Sequence, residues 1–148
     1  MTKVVIASDH AGFQGKEEIK QTLTELGIGF ADLGTDSENS VDYPDYAAAV
    51  AHAVARGEAE RGILVCGSGI GMQIAANKVP GIRAALAWSE ETAQLARQHN
   101  NANVVAIGAR TTAPETIKQI VHAFLTTDFA GGRHTARVEK IAKLEQAG

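Results

Sequence analysis

The sequence is poor in cysteine, in net positive charge and in long apolar runs, and each scarcity closes off a class of protein. Cys66 is the only cysteine among 148 residues, so no disulfide framework is available, and an unpaired thiol fits a reducing cytoplasm. Fourteen lysines and arginines against 17 acids leave a net charge of -3. That balance supplies no basic field for nucleic acid, and no basic amphipathic stretch offers a membrane surface. The longest apolar runs fall far short of a membrane span, and the run near the start is too short for the core of a signal peptide. No pair of cysteines or histidines has metal-ligand spacing, and the acidic stretch from Asp36 to Asp45 lacks the EF-hand pattern. The expectation is a protein with no metal and no cofactor, partnered by a small molecule or another protein.

What is present is ordinary for a globular protein, with one exception. Hydrophobic residues make up 45% and charged residues 21% of the chain, which argues against disorder and fibrous structure. A chain of this length can bury roughly 70% of its unfolded surface as one domain, so residues 1–148 read as a single domain. Glycine is the exception: 15 residues exceed the usual share of about 7%. The glycines gather at the ends of apolar runs, where strands would turn tightly into helices.

Short β-branched apolar runs alternate with segments of helical period. Val4 to Ala7, Gly29 to Leu33, Ile63 to Cys66, Ala84 to Ala87 and Val104 to Ile107 read as strands. They lack polar alternation, as strands covered on both faces do. Between them, apolar residues recur at helical spacing: Ile19, Leu23 and Leu26; Ala47, Val50, Ala51 and Val54; Ile117, Ile120, Val121, Phe124 and Leu125. Ser89 ahead of Glu90, Glu91 and Thr92 reads as a helix cap, and Thr112 to Glu115 repeats the pattern with Pro114 near the first helical position. The predicted fold is a three-layer α/β domain of the Rossmann-like or flavodoxin-like group. It has about five parallel strands, helices on both faces, and a C-terminal tail helix after the hinge Gly131-Gly132.

Ligands of open parallel sheets bind beyond the carboxyl ends of the strands. Three such ends carry reactive groups: Ser8-Asp9-His10, Cys66 to Gly71, and Gly108-Ala109-Arg110. The Cys66 turn lacks the GK[ST] ending of a phosphate loop, and its GxGxG follows the third strand where a dinucleotide fingerprint would follow the first. A cysteine phosphatase needs an arginine where Met72 stands, and Cys66 displaces the first glycine of a hydrolase elbow. What remains is a thiol beside backbone amides at a helix start, a setting that binds anions and favours thiolates. It suits a proton-transferring cysteine beside an oxyanion, although a lone cysteine is also a common small core residue.

Ser8, Asp9 and His10 cannot form a triad, because adjacent strand residues face opposite ways. Asp9 and His10 can both reach a ligand if the chain turns at Gly12, while an aspartate there is also a common helix cap. His99 and Asn100 close the helix that begins near Ser89, as a cap and a dipole partner commonly do, and an imidazole there can also act as acid or base. Arg133 and Arg137, four residues apart, share one helix face with His134 beside them, where paired guanidiniums could hold a phosphate.

Taken together, VVIASDHAGFQGK, DYPDYA, LVCGSGIGMQIAANKVPGIRAAL, RQHNNANVVAIGAR and GGRHTARVEKI resemble the type B ribose-5-phosphate isomerase family, in order and over nearly the whole chain. That family includes isomerases of allose 6-phosphate and of galactose 6-phosphate. The resemblance implies a Rossmann-like homodimer, or a tetramer of paired dimers, with each active site built from two subunits. It also implies metal-free interconversion of D-ribose 5-phosphate and D-ribulose 5-phosphate in the pentose phosphate pathway. By position, Cys66 matches the general base and His99 the residue that opens the sugar ring, with Ser68 or Asp9 assisting. Asp9, His10, Tyr43, Ser68 and Asn100 match sugar-contacting positions, and the amides of Gly67, Ser68, Gly69, Ile70 and Gly71 match the anion hole. His10, Arg110, Arg133 and Arg137 match the phosphate-binding group. One branch of the family uses a glutamate at the position of Met72, so here the thiol has no carboxylate rival on its turn. Two alternatives accompany this reading. One is a preference for a six-carbon substrate such as allose 6-phosphate; the other is a non-catalytic, anion-binding flavodoxin-like module. A phospho-receiver would need an aspartate where Cys66 stands, and a thiol redox protein would need a second cysteine.

Overall fold

The computed structural model describes residues 3–147. Five strands, β1 (Val4–Ser8), β2 (Phe30–Asp32), β3 (Arg61–Cys66), β4 (Ala84–Leu86) and β5 (Val104–Gly108), form one parallel sheet in the order β2-β1-β3-β5-β4. The helices are α1 (Phe13–Glu25), α2 (Tyr43–Ala55), α3 (Ile70–Ala76), α4 (Glu90–Asn100), α5 (Pro114–Thr126) and α6 (Arg133–Ala147). The predicted three-layer fold, its five parallel strands and its tail helix are all present.

The period of two along each strand sorts the core into two layers. Val4 and Ile6 of β1, Ile63 and Val65 of β3, and Val105 and Ile107 of β5 pack with Ile19, Leu23, Ala93, Ile117, Ile120 and Phe124, so α1, α4 and α5 cover one face. Val5, Ala7, Leu64, Cys66, Val104 and Ala106 pack with Ala47, Val50, Ala51, Val54, Met72 and Ala76, so α2 and α3 cover the other. Burial on both faces explains why these strands read as unbroken apolar runs.

Strand order departs from flavodoxin's 2-1-3-4-5 at one place. The fully buried β5 pairs with β3, and the short β4, two of whose three residues are only half-buried, lies at the edge. Chain direction across the sheet reverses between β1 and β3, which puts a crevice at the carboxyl ends of those two strands. That crevice is where doubly wound sheets bind ligands.

Local signals fare unevenly at helix ends. Ser89 forms a full capping box with Thr92: its hydroxyl accepts the Thr92 N–H at 3.1 Å, and the Thr92 hydroxyl accepts the Ser89 N–H at 3.1 Å. Pro114 opens α5, but the cap residue there is Ala113, and no side chain caps the helix. Thr112 therefore does not repeat the Ser89 pattern, because the chain enters α5 one residue later than a threonine cap requires. The left-handed cap of α4 is Asn101, with φ 48°, while Asn100 is the last helical residue.

Candidate active site

Cys66 ends β3 with its side chain on the α2/α3 side of the sheet, 5% exposed. The turn that follows is shaped by Gly69, whose φ of 81° is the left-handed region that glycine enters without steric cost. The Gly69 N–H, at the start of that residue, donates to the Cys66 sulfur 3.1 Å away. The Gly69 amide, expected to be open to an anion, is therefore engaged with Sγ. The Ser68 hydroxyl is exposed and accepts the Ile70 N–H at 3.3 Å.

Neighbouring turns close around this one. Ala109 N–H donates to the Cys66 carbonyl at 2.8 Å and Arg110 N–H to the Gly67 carbonyl at 3.0 Å, which locks the β5 turn to the β3 turn. The Arg110 side chain lies over Gly67, with its guanidinium 3.6 Å from where a Cβ would project. Asp9 N–H donates to the Val65 carbonyl at 3.2 Å, holding the end of β1 against β3. The Asp9 carboxylate is buried and accepts the Gly12 N–H at 2.9 Å, which closes the turn ahead of α1; the cap residue of that helix is Gly12, and no side chain caps it. His10 Nδ1 accepts the Val41 N–H at 3.2 Å, and a neutral ring then carries its proton on Nε2. At the start of α2 the Tyr43 ring lies against Gly71. Asp9, His10, Tyr43, the 66–71 turn and Arg110 thus meet around one crevice.

His99, Asn100, Arg133 and Arg137 are elsewhere. Helix α4 runs from the carboxyl end of β4 back to the start of β5, so its last turn lies at the amino edge of the sheet. The length of β5, at ~3.3 Å per residue, separates the two edges by roughly 15 Å. A single copy of the chain therefore does not bring Cys66 and His99 together. Arg133 and Arg137 lie exposed on α6, which packs beside α4. The hinge is pinned by Ala130 N–H to the Gln98 carbonyl at 3.0 Å, and the His134 ring stacks on His99 with centroids 4.3 Å apart and planes inclined by 14°. Partial desolvation, then the nearby His99, Arg133 and Arg137, push His134 below the usual histidine range.

Two features are invisible in the sequence pattern. Lys16 is 1% exposed and donates to both carboxylate oxygens of Asp32, at 2.7 and 2.8 Å, and to the Thr35 carbonyl at 2.5 Å. This ties α1 to the loop that leads to Tyr43. Burial opposes ionisation of Asp32, but hydrogen bonds from Lys16, Lys20 and the Gly34 N–H outweigh it and hold the carboxyl below its ordinary range. The second feature is a cleft of about 500 Å³, which lies away from Cys66, between α3, β4 and α6, and includes Asn100, Ile141 and Leu144 in its walls.

Among the described residues, no group of three or more His, Cys, Asp or Glu could hold a metal ion, and no helix is long and apolar enough to cross a membrane. Fold and crevice together define a doubly wound α/β protein with a thiol at its switch point. The chain belongs to the Ribose/Galactose Isomerase family, whose model matches residues 4–141. It is 49% identical over 146 residues to ribose-5-phosphate isomerase B of Escherichia coli, covering 99% of this chain and 98% of that protein. Its structure is similar to that of ribose-5-phosphate isomerase B from Clostridium thermocellum, with a TM-score of 0.96, 46% identity and 98% of each chain covered. It is also similar to the Mycoplasma genitalium enzyme with bound ribulose 5-phosphate, with a TM-score of 0.94 and 42% identity over 99% of this chain and 97% of that one.

Proposed function

We propose that this protein is a ribose-5-phosphate isomerase of type B, interconverting D-ribose 5-phosphate and D-ribulose 5-phosphate, and that residues 1–148 form its single isomerase domain. The observation that carries the reading is the buried Cys66 thiol at the switch point with the Gly69 N–H directed at its sulfur, in a chain similar from end to end to enzymes of that name. The relatives reported above are isomerases by name, which disfavours the binding-module alternative.

Isomerisation moves the carbon-bound proton from C2 to C1 of the open-chain aldose through an enediolate, while the hydroxyl proton passes from O2 to O1. Cys66 takes the C2 proton as thiolate and returns it to C1, and the N–H already aimed at the sulfur complements the negative charge it carries. Negative charge on the enediolate oxygens is met by the turn amides not already engaged, those of Gly67, Ser68 and Gly71, each donor typically worth ~3 kcal/mol in such sites. Tyr43 and Asp9 flank the sugar, with Ser68 and His99 serving ring opening. His10, Arg110, Arg133 and Arg137 hold the phosphate, so that binding energy remote from C1 and C2 positions the reacting carbons.

This division requires a second copy of the chain, because His99, Asn100, Arg133 and Arg137 lie at the far edge of the sheet from Cys66. The proposed assembly is a homodimer, whether or not dimers pair further, with each site drawing the 66–71 turn from one subunit and α4 and α6 residues from the other. Exposed Ile70 and Ile74 on α3, Trp88 before α4, and Ile141 and Leu144 on α6 support a docking face between copies. The chemistry proposed needs no metal, and a cytoplasmic site of action suits the free thiol.

The test is Cys66→Ala. Loss of the general base should lower kcat for ribose 5-phosphate by at least about 10³-fold, with substrate binding largely kept. Normal kcat in that variant would sink the assignment. Comparing kcat/KM for ribose 5-phosphate and allose 6-phosphate on the unaltered protein decides between the five-carbon and six-carbon readings.

A further inference from the structure

The reaction as assigned uses His99 but leaves its neighbour unexplained. His134, on α6, lies against His99 of α4 in a near-parallel stack, 4.3 Å between centroids and 14° between planes. The two residues are far apart in sequence, and the contact depends on the turn at Gly131 and Gly132, with φ of 67° and 55°, and on the Ala130–Gln98 backbone bond. A solvent-facing histidine at the end of a helix would otherwise rotate freely about two side-chain torsions. Ordering a side chain of that kind costs free energy, so a group that must deliver a proton in one direction gains from a ring packed flat against it.

We propose that His134 is a positioning residue for His99, its ring fixing the plane in which the His99 imidazole meets the sugar. The proposal rests on the assignment of His99 to proton transfer. The charged and titratable groups facing His134 are His99 from α4 and Arg133 and Arg137 from its own helix. All three disfavour an imidazolium at position 134, and two imidazolium rings in face-to-face contact would repel, so the stack is strongest with His134 neutral. This arrangement lets α6 do two things at once. Its guanidiniums receive the phosphate, while the imidazole between them in sequence keeps the acid-base group aimed at the other end of the sugar.

The test compares His134→Ala, His134→Phe and His99→Asn in the full chain, with ribose 5-phosphate as substrate. Removing the ring should lower kcat by roughly tenfold or more, the usual scale of a misaimed proton-transfer group, with KM nearly unchanged. His134→Phe keeps a flat ring at this position and should recover most of that loss. Wild-type kcat in His134→Ala, or a change confined to KM, would overturn the inference and make His134 a bystander or a phosphate ligand. If His99→Asn is itself fully active, the proton-transfer assignment fails instead. If His99→Asn is impaired while His134→Ala is normal, the stack alone is at fault. A second readout does not depend on how the alanine variant folds. By proton NMR, the His134 titration should move to higher pH in His99→Asn, and an unmoved titration would show that the rings do not stack in solution.

Discussion

Replacing Gly71 by alanine separates the geometry of the site from its stability. Gly71 lies in the first turn of α3 with ordinary helical backbone, so alanine fits the backbone and gains about 1 kcal/mol of helix propensity. Its new Cβ, however, would stand 2.5 Å from Tyr43 Cε1 and 2.6 Å from Cζ, where carbon atoms require about 3.5 Å. The ring must retreat by about 1 Å, and it can, because Tyr43 is 41% exposed and borders solvent. Stability should therefore change by less than about 1 kcal/mol, seen as a nearly constant midpoint in urea. If Tyr43 contacts the sugar, the same displacement should lower kcat/KM for ribose 5-phosphate by about tenfold to a hundredfold. The Gly71 amide is retained throughout, so the loss cannot be charged to the anion hole. Tyr43→Ala provides the cycle: if the effect runs through the ring, the double variant should be little worse than Tyr43→Ala alone. Full additivity of the two penalties, or an unchanged kcat/KM for Gly71→Ala, would refute the placement of Tyr43 in the site.

The Lys16 clamp and the α4 cap give further expectations. Lys16→Met leaves the buried Thr35 carbonyl without its partner, and chemical denaturation should report a loss of about 1–3 kcal/mol. Because the folded pKa of Asp32 lies below its ordinary 3.8, its contribution is fully present above that value and disappears as pH falls through the lowered one. Asp32→Asn should accordingly flatten the acid limb of the stability curve, and an unchanged limb would show that the clamp does not act through this carboxylate. Ser89→Ala removes the hydroxyl that accepts the Thr92 N–H, leaves the reciprocal bond from the residue-89 N–H to the Thr92 hydroxyl, and should cost about 1 kcal/mol, measured in the same way.

How much of this was legible in the sequence depends on the range of the interaction. Strands buried on both faces show as apolar runs because the cause is local to each strand, and the Ser89 box lies within four residues. The order of β5 and β4 is a choice between distant partners; only burial hints at it, since VVAIG is apolar throughout whereas β4 is short. Positions after strand ends pointed to Asp9, His10, Cys66 and Arg110, and the parallel sheet gathers them by topology. The engagement of the Gly69 amide by the sulfur was hidden, because it depends on the backbone path from Cys66 to Gly69, which residue types alone do not specify. Lys16 gave no signal at all: a lysine in an amphipathic helix reads as solvent-facing, and its partners arrive from β2 and the loop beyond it. His134 was visible beside the arginines, but its stack on His99 depends on how α6 folds back over α4.

The central claim is that Cys66 of one copy works with His99 of another, and mixing two crippled variants tests it most directly. Cys66→Ala and His99→Asn should each be nearly inactive as pure dimers. Unfolded together in equal amounts and refolded, they should form mixed dimers in which one of the two sites holds both native residues, restoring about a quarter of wild-type activity. Activity that stays at the level of the separate variants, in a mixture shown to contain mixed dimers, would contradict a site shared between subunits.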